Sequence, residues 1–218
     1  VRSMMHVTDV LNYSMPPELF NWYAKNGFNK CKKIGDEAMH VGSIVDQLVQ
    51  ADIRALSPLS SFPPPITSPI LLSPQDLNPA VSNCIKAWEL FKRDYPSFIP
   101  SVIEMQTELT QDDLVGHPDF IHANGITDLK CSSGIRPNYW TQCAKYLDMR
   151  AIPHRTDKFI AVLRLDKVTG LYEYKKIEDE NFINYEIKLF EAYLMMFKHN
   201  ENVREVMRQQ LEAELLGG

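Results

Sequence analysis

The residues of this 218-residue chain that could do chemistry crowd between Glu104 and Tyr146. Pro118-Asp119 and Asp128-Leu129-Lys130 straddle an Asn124-Gly125 pair, and Asn-Gly between apolar runs is a strong hairpin signal. Alternation along a strand sends Asp128 and Lys130 to one face. A two-residue turn at Asn124-Gly125 would set Asp119 opposite Lys130, and a four-residue loop would set it opposite Asp128. Either register gathers all three side chains on one face; a three-residue loop would not. The same counting about Asp112-Asp113 carries Glu104 and Glu108 to that face. Like charges crowded across strands destabilise a sheet. A hard divalent cation would relieve them, since Mg²⁺ is held by one or two carboxylates with waters and substrate phosphate. Such a cation polarises a phosphodiester and lowers the pKa of an attacking water. Lys130 would orient that water or stabilise charge on the phosphorane. A solvated hairpin face with incidental ion pairs is the competing reading.

The elements that must position these residues follow from periodicity. Residues 3–13 start in a turn and enter a short helix with Thr8 or Asp9 as N-cap, and Pro16-Pro17-Glu18 opens a second. Lys30, Lys32 and Lys33 form the densest basic cluster, either a solvated helix end or a phosphate contact beside the site. Ala38, Val41, Ile44, Val45, Leu48 and Val49 predict a helix over residues 36–53, with Gly42 and Asp46 on one face. Pro58, Pro63, Pro64, Pro65, Pro69, Pro74 and Pro79 exclude a continuous helix or a central strand over 56–79. That stretch reads as an ordered surface excursion, or as a proline-rich ligand for another protein.

A helix is predicted over 79–95, strands over 102–109, 114–121 and 126–131, and a helix over 137–150. A hairpin follows over 159–165 and 171–177, turning at Val168-Thr169-Gly170. Amphipathic helices over 180–199 and 203–216 would turn Phe182, Tyr185, Leu189, Tyr193 and Phe197 to the core. The order predicts an α/β fold, a small mixed sheet flanked by helices with helical additions at both ends. One domain is expected over 1–218: a helical N-terminal portion spanning 1–95, a catalytic core over 100–177 and C-terminal helices over 180–216.

Composition narrows the class without choosing it. A net charge of −5 argues against a protein that coats nucleic acid through a uniformly basic surface, but a metal-binding enzyme site is itself acidic. Cys31, Cys84, Cys131 and Cys143 lack the spacing of a zinc site and read as free thiols. No apolar run reaches the length of a membrane span and no secretion-signal pattern stands at the start, so a soluble intracellular protein is expected.

Taken in order, these residues resemble the PD-(D/E)XK nuclease superfamily. Gly116 ahead of Pro118-Asp119 and Asp128-Leu129-Lys130, then Gln142-Cys143-Ala144-Lys145-Tyr146, are similar to the RecB-type branch with its Q-x-x-x-Y helix. His6-Val7-Thr8-Asp9-Val10-Leu11 and Trp22-Tyr23-Ala24-Lys25 are similar to the N-terminal segment of phage exonucleases and of the mitochondrial genome maintenance exonuclease. The resemblance covers most of 3–150 and implies a restriction-endonuclease-like core. It implies that Asp119 and Asp128 hold Mg²⁺ or Mn²⁺, that Lys130 is the catalytic lysine, and that Glu104, with Glu108 as rival, fills the upstream acidic position. Gln142 and Tyr146 would support the site and touch the nucleic-acid backbone, and Tyr139 and Trp140 could stack bases.

Gly42-Ser43-Ile44-Val45-Asp46 stands where those proteins carry G-x-x-x-H, so Asp46 replaces histidine as a metal ligand. Carboxylate oxygen suits hard ions better than imidazole, though it is shorter and charged. Iron–sulfur members carry three cysteines after the core; none follows Tyr146, so no cluster is expected. The implied activity is metal-dependent hydrolysis of DNA, as an exonuclease on ends or single strands, with a replication or recombination protein as a possible partner. The implied setting is the cytoplasm of a bacterial or phage-infected cell, or a mitochondrion. The alternative is a catalytically weak or inactive nucleic-acid-binding or complex-assembly module on a nuclease fold.

Overall fold

Switches between period-two and helical patterning set the element order. The structure, a computed structural model, describes residues 4–13, 17–57, 78–151 and 157–217. Along the chain run β1 (Met5–His6), α1 (Val7–Tyr13), α2 (Pro17–Asn26), α3 (Phe28–Leu56), α4 (Pro79–Asp94), α5 (Phe98–Ser101), β2 (Val102–Met105), β3 (Leu109–Gln111) and β4 (Leu114–Gly116). Then follow β5 (Phe120–His122), β6 (Gly125–Lys130), α6 (Pro137–Met149), β7 (Phe159–Leu165), β8 (Tyr172–Ile177) and α7 (Glu180–Gly217). Residues 58–77, and with them most of the proline-rich stretch, lie outside the described residues.

The main sheet has the order β2-β5-β6-β7-β8. Its β6–β7 pair is parallel and the other pairs are antiparallel. A parallel pair needs a crossover, and α6 supplies it. Each face of the sheet is covered by its own apolar layer. Val45, Val49 and Ile53 of α3 and Trp88 and Phe91 of α4 pack on Phe120, Leu129, Leu163 and Leu165. Val7 and Val10 of α1, Ala144 and Leu147 of α6 and Phe190 of α7 pack on Ile121, Ile126, Ile160 and Val162. Alternation along β7 divides its residues between the two layers, as expected for a strand buried on both faces. The result is a mixed α/β sandwich.

Four expectations need correction. Strands 102–109 and 114–121 each break in two, and the pieces enter different sheets: β2 and β5 join the main sheet, while β3 and β4 join β1 in a second, ordered β1-β4-β3. Gln106 adopts φ 50° between β2 and β3, and Pro118, which has no N–H to give a ladder, separates β4 from β5. Met5–His6 forms a strand parallel to β4 in place of the expected turn, and the helix starts at Val7, so Thr8 and Asp9 lie inside its first turn and neither is its N-cap. The helix over 36–53 begins eight residues earlier, at Phe28, because buried Cys31 extends its packed face through the lysine cluster. The two C-terminal helices are one, and its core stripe is Ile183, Glu186 and Phe190; Tyr185 is exposed and Leu189 only half-buried. The apolar count missed this phase because buried Glu186 belongs to the stripe, accepting a hydrogen bond from the Thr141 hydroxyl of α6.

Gly116 ties these layers together. A Cβ there would overlap the Tyr146 ring and press on Val7 Cγ2 at 3.3 Å, so only glycine lets α6 and α1 close on β4. Gly116→Ala is expected to cost about 1–3 kcal/mol from overpacking. Urea denaturation would read this as a lowered midpoint with an unchanged slope.

Candidate active site

The β5–β6 hairpin decides the register that the sequence left open. Phe120 pairs with Thr127 and Ile121 with Ile126, so one further step sets Asp119 opposite Asp128. This is the four-residue-loop register. Asp128 is 2% exposed, and its Oδ2 lies 2.6 Å from Lys130 Nζ at the end of the same strand. The contact is a close ion pair, but among the described residues it does not meet hydrogen-bond geometry, which leaves that buried oxygen without an aligned donor. Asp119 is held from two sides. Its Oδ2 accepts from the Leu129 backbone N–H at 2.7 Å, and its Oδ1 accepts from Gln106 Nε2 at 2.7 Å. Left-handed backbone at Gln106 lets its N–H donate to Pro118 O while its side chain reaches Asp119.

Asp46 approaches from α3. Gln50 Nε2 donates to its Oδ2 at 2.7 Å, and Arg54 Nη2 donates to Gln50 Oε1 at 3.1 Å, each one helical turn further on. Asp46 Oδ1 is buried without a hydrogen-bond partner among the described residues. Burial and then repulsion from Asp119 push the Asp46 carboxyl up to about 7. Burial likewise pushes Asp128 up to about 7; Lys130 opposes the shift and Asp119 adds to it. Burial works against charge on Lys130, but Asp128 and Asp119 outweigh it and hold the ammonium well above its ordinary range.

Three carboxylates therefore share Lys130, with Arg54 acting on Asp46 from a greater remove, and among the described residues two of them keep a buried oxygen without an aligned donor. A divalent cation fits that donor set: it would cancel the surplus negative charge and use oxygens the protein leaves unsatisfied. Among the described residues, no three His, Cys, Asp or Glu side chains converge closely enough to form a ready-made ligand group. Mg²⁺ does not require one, because waters and substrate phosphate complete its shell.

Other expected site residues fall at varied distances from this centre. Glu104 sits on β2 opposite Ile121, its carboxylate taken by Arg150 Nη2. Glu108 is exposed and lies 3.5 Å from His117 Nε2. Among the described residues, no hydrogen bond or ion pair joins either acid to Asp119 or Asp128; Glu104 stays on β2 of the main sheet, and Glu108 falls in the link between β2 and β3. Gln142 and Tyr146 are both buried, and Gln142 Nε2 donates to Tyr146 Oη at 3.0 Å. Burial, with Asp128 and Asp119 nearby, pushes the Tyr146 phenol upward, so the pair stands within electrostatic reach of the centre. Tyr139 lies half-buried with Lys130 Nζ 5.2 Å from its ring centroid, and Trp140 packs against the α1–α6–α7 layer.

Lys30, Lys32 and Lys33 are exposed on α3, but not beside the centre. They precede Asp46 by 13 to 16 residues, about 20 Å or more at 1.5 Å per residue. All four cysteines are free.

Sequence reasoning missed Gln106, Gln50 and Arg54, which orient the carboxylates. Gln50 and Arg54 do stand at four-residue steps from Asp46, a signal that was available. Gln106 acts through a left-handed backbone that no local pattern announces.

No protein-family model matches the chain, and no curated protein matches it. Among solved structures, it is similar to the crystal structure of an alkaline exonuclease (LHK-Exo) from Laribacter hongkongensis. The match covers 95% of this chain and 94% of that one, with a TM-score of 0.43 and 12% identity. A likeness this loose adds nothing to the reading of the site, which rests on the residues themselves.

The raised carboxyls carry a stability consequence. A folded-state pKa of about 7 against an ordinary 3.8 means that the metal-free fold loses stability as pH rises between those values and then levels off. Asp128→Asn removes that ionisation. At pH 8 without divalent ions it is expected to be more stable than the parent by roughly 1–3 kcal/mol, with the gap closing near pH 4. Thermal melts across that range check this; a gap independent of pH would mean that ionisation is not the cause.

Proposed function

We propose that this chain is a divalent-metal-dependent nuclease that hydrolyses phosphodiester bonds in DNA, acting as an exonuclease on ends or single strands. The observation that carries the reading is the buried Asp128 carboxylate, 2.6 Å from Lys130 and in register with Asp119, with an oxygen left without an aligned donor. An Asp–Lys pair placed only for stability would satisfy its lone pairs, because an unmet buried acceptor is costly.

Asp119 and Asp128, with Asp46 from α3, would hold Mg²⁺ or Mn²⁺. The bound ion would polarise the scissile phosphate and acidify an attacking water. The protein's own groups do the rest. Gln106 and the Leu129 N–H fix Asp119 in one orientation, so little freedom is lost when a ligand arrives. Lys130, held protonated, offers positive charge to the non-bridging oxygens as they gain charge, rather than serving as a base. The Gln142–Tyr146 pair backs the centre from α6 as a positioning device, and Gly116 allows the ring to lie there. The Asp46 relay through Gln50 to Arg54 keeps that carboxylate aimed inward. Glu104, tied to Arg150, would join only after that ion pair opens.

A second reading is a binding or assembly module without catalysis, favoured by the lack of a converged three-ligand group among the described residues. The two separate cleanly. Cleavage of labelled single-stranded DNA is expected to require Mg²⁺ or Mn²⁺, and Lys130→Ala to lower its rate about 10²–10³-fold, the range seen when an electrostatic stabiliser is removed. The circular dichroism spectrum should not change. Full activity in that variant removes the assignment. Calorimetry that detects DNA binding but no divalent binding favours the module.

A further inference from the structure

The charge of the chain is unevenly placed. Between Leu19 and Gly35 there are four lysines, Lys25, Lys30, Lys32 and Lys33, and no acid, so the rest of the chain carries −9 against the total of −5. Among the described residues, none of these lysines makes an ion pair, although most other charged groups in the fold do. Three of them occupy the first two turns of α3, whose first turn has no acid and whose N-cap, Gly27, makes no side-chain cap. Cations at that end oppose the helix dipole and cost stability. Positive charge kept where it destabilises the helix points to an anionic partner.

Aromatic rings share the same corner. Phe28 is 68% exposed and stacks on Tyr23 with centroids 6.0 Å apart and planes at 26°; Trp22 meets Tyr23 edge-on. From Phe28 a single stripe runs along α3 in steps of four and three residues: Phe28, Lys32, Gly35, Met39, Gly42, Asp46. Met39 is 67% exposed, and a Cβ on Gly35 or Gly42 would meet nothing within 4 Å among the described residues, so nothing described covers this face. It enters the interior only at Asp46 and Val49. The stripe is about 27 Å long at 1.5 Å per residue. That is about eight base steps at 3.4 Å each.

From this arrangement we infer that the α2–α3 corner is a docking surface for single-stranded nucleic acid, remote from the cleavage centre and connected to it along α3. Phe28 on Tyr23 is the base-stacking platform, and Lys30, Lys32 and Lys33 meet backbone phosphates. Aromatic platforms combined with a basic track bind single strands with little regard to sequence. The choice of nucleic acid over another polyanion rests on the nuclease reading, because the stripe ends at Asp46. An anionic membrane suits the corner less well, since Asn21, Asn26 and Asn29 interrupt any continuous apolar face.

The test measures binding without catalysis. The full chain is titrated in EDTA against fluorescent oligothymidylate of about 20 nucleotides, with anisotropy as the readout. The K30E/K32E/K33E variant is expected to bind at least tenfold more weakly. Its plot of log affinity against log salt should be shallower by about two, since each neutralised phosphate of a single strand accounts for about 0.7 of the slope. Phe28→Ala should lose about fivefold or more. K30R/K32R/K33R should bind as the parent does. Charge reversal suits the helix dipole, so the glutamate variant should melt no lower than the parent, which separates lost binding from lost folding.

Parental affinity in the glutamate variant overturns the inference, as does binding to phosphatidylserine vesicles with none to the oligonucleotide. Binding that depends on these lysines, with no Lys130-dependent cleavage, would sink the nuclease reading and leave this surface standing. Cleavage by a chain whose glutamate variant binds normally does the reverse.

Discussion

Electrostatic imbalance at the end of β6 is the constraint on which this structure turns. Asp128 is taken wholly out of water on a strand buried on both faces, with Asp119 across the ladder and Asp46 arriving from α3. The Lys130 ammonium pairs with Asp128 directly, and the only other cation acting on the three carboxylates among the described residues is Arg54, through its field at Asp46. Burial first, and then repulsion from Asp119, pushes the Asp46 and Asp128 carboxyls up to about 7. A chain selected only for stability would replace such a cluster with apolar side chains, which are often the more stable choice.

Much of the surrounding architecture serves to hold that imbalance in place. The parallel β6–β7 pair, bridged by α6, brings Gln142 and Tyr146 behind the carboxylates. Gly116 lets the tyrosine ring approach β4, and the left-handed turn at Gln106 delivers an amide to Asp119. On the far side of α6, Lys145 is buried against Phe190, donating to Gln111 and Asp148, while Thr141 donates to Glu186. These polar contacts lock α6 to α7 and to the small sheet. Buried polar groups that are fully satisfied specify one packing among several. The satisfied set on this side contrasts with the unsatisfied oxygens of the centre.

Helix α3 has two jobs that a shorter helix could not combine. Its C-terminal half packs on α4 and the main sheet through Val45, Val49 and Ile53, which makes the position of Asp46 rigid. Its N-terminal half projects lysines and Phe28 into solvent. Because a helix is stiff over this length, an exposed corner and a buried carboxylate are held at a defined separation.

The hairpin, the central helix and the β7–β8 pair were legible in the residues because each obeys a local rule: Asn-Gly between apolar runs, proline in a first turn, apolar alternation about Gly170. The grouping of Asp119, Asp128 and Lys130 at the candidate site was legible for the same reason, since they sit within one hairpin where parity alone relates them. Sequence could not choose between the two registers, because both satisfy that parity; the backbone pairing of Ile121 with Ile126 decided it. Nor could it place Glu104, Lys30, Lys32 and Lys33, or the phase of α7. Those depend on where Gln106 turns left-handed, on how long α3 runs, and on a glutamate buried by a threonine hydroxyl from another helix. Local spacing determines which side chains can share a face. Only the packing of distant segments decides which of those faces meet, since that energy belongs to contacts between residues far apart in the chain.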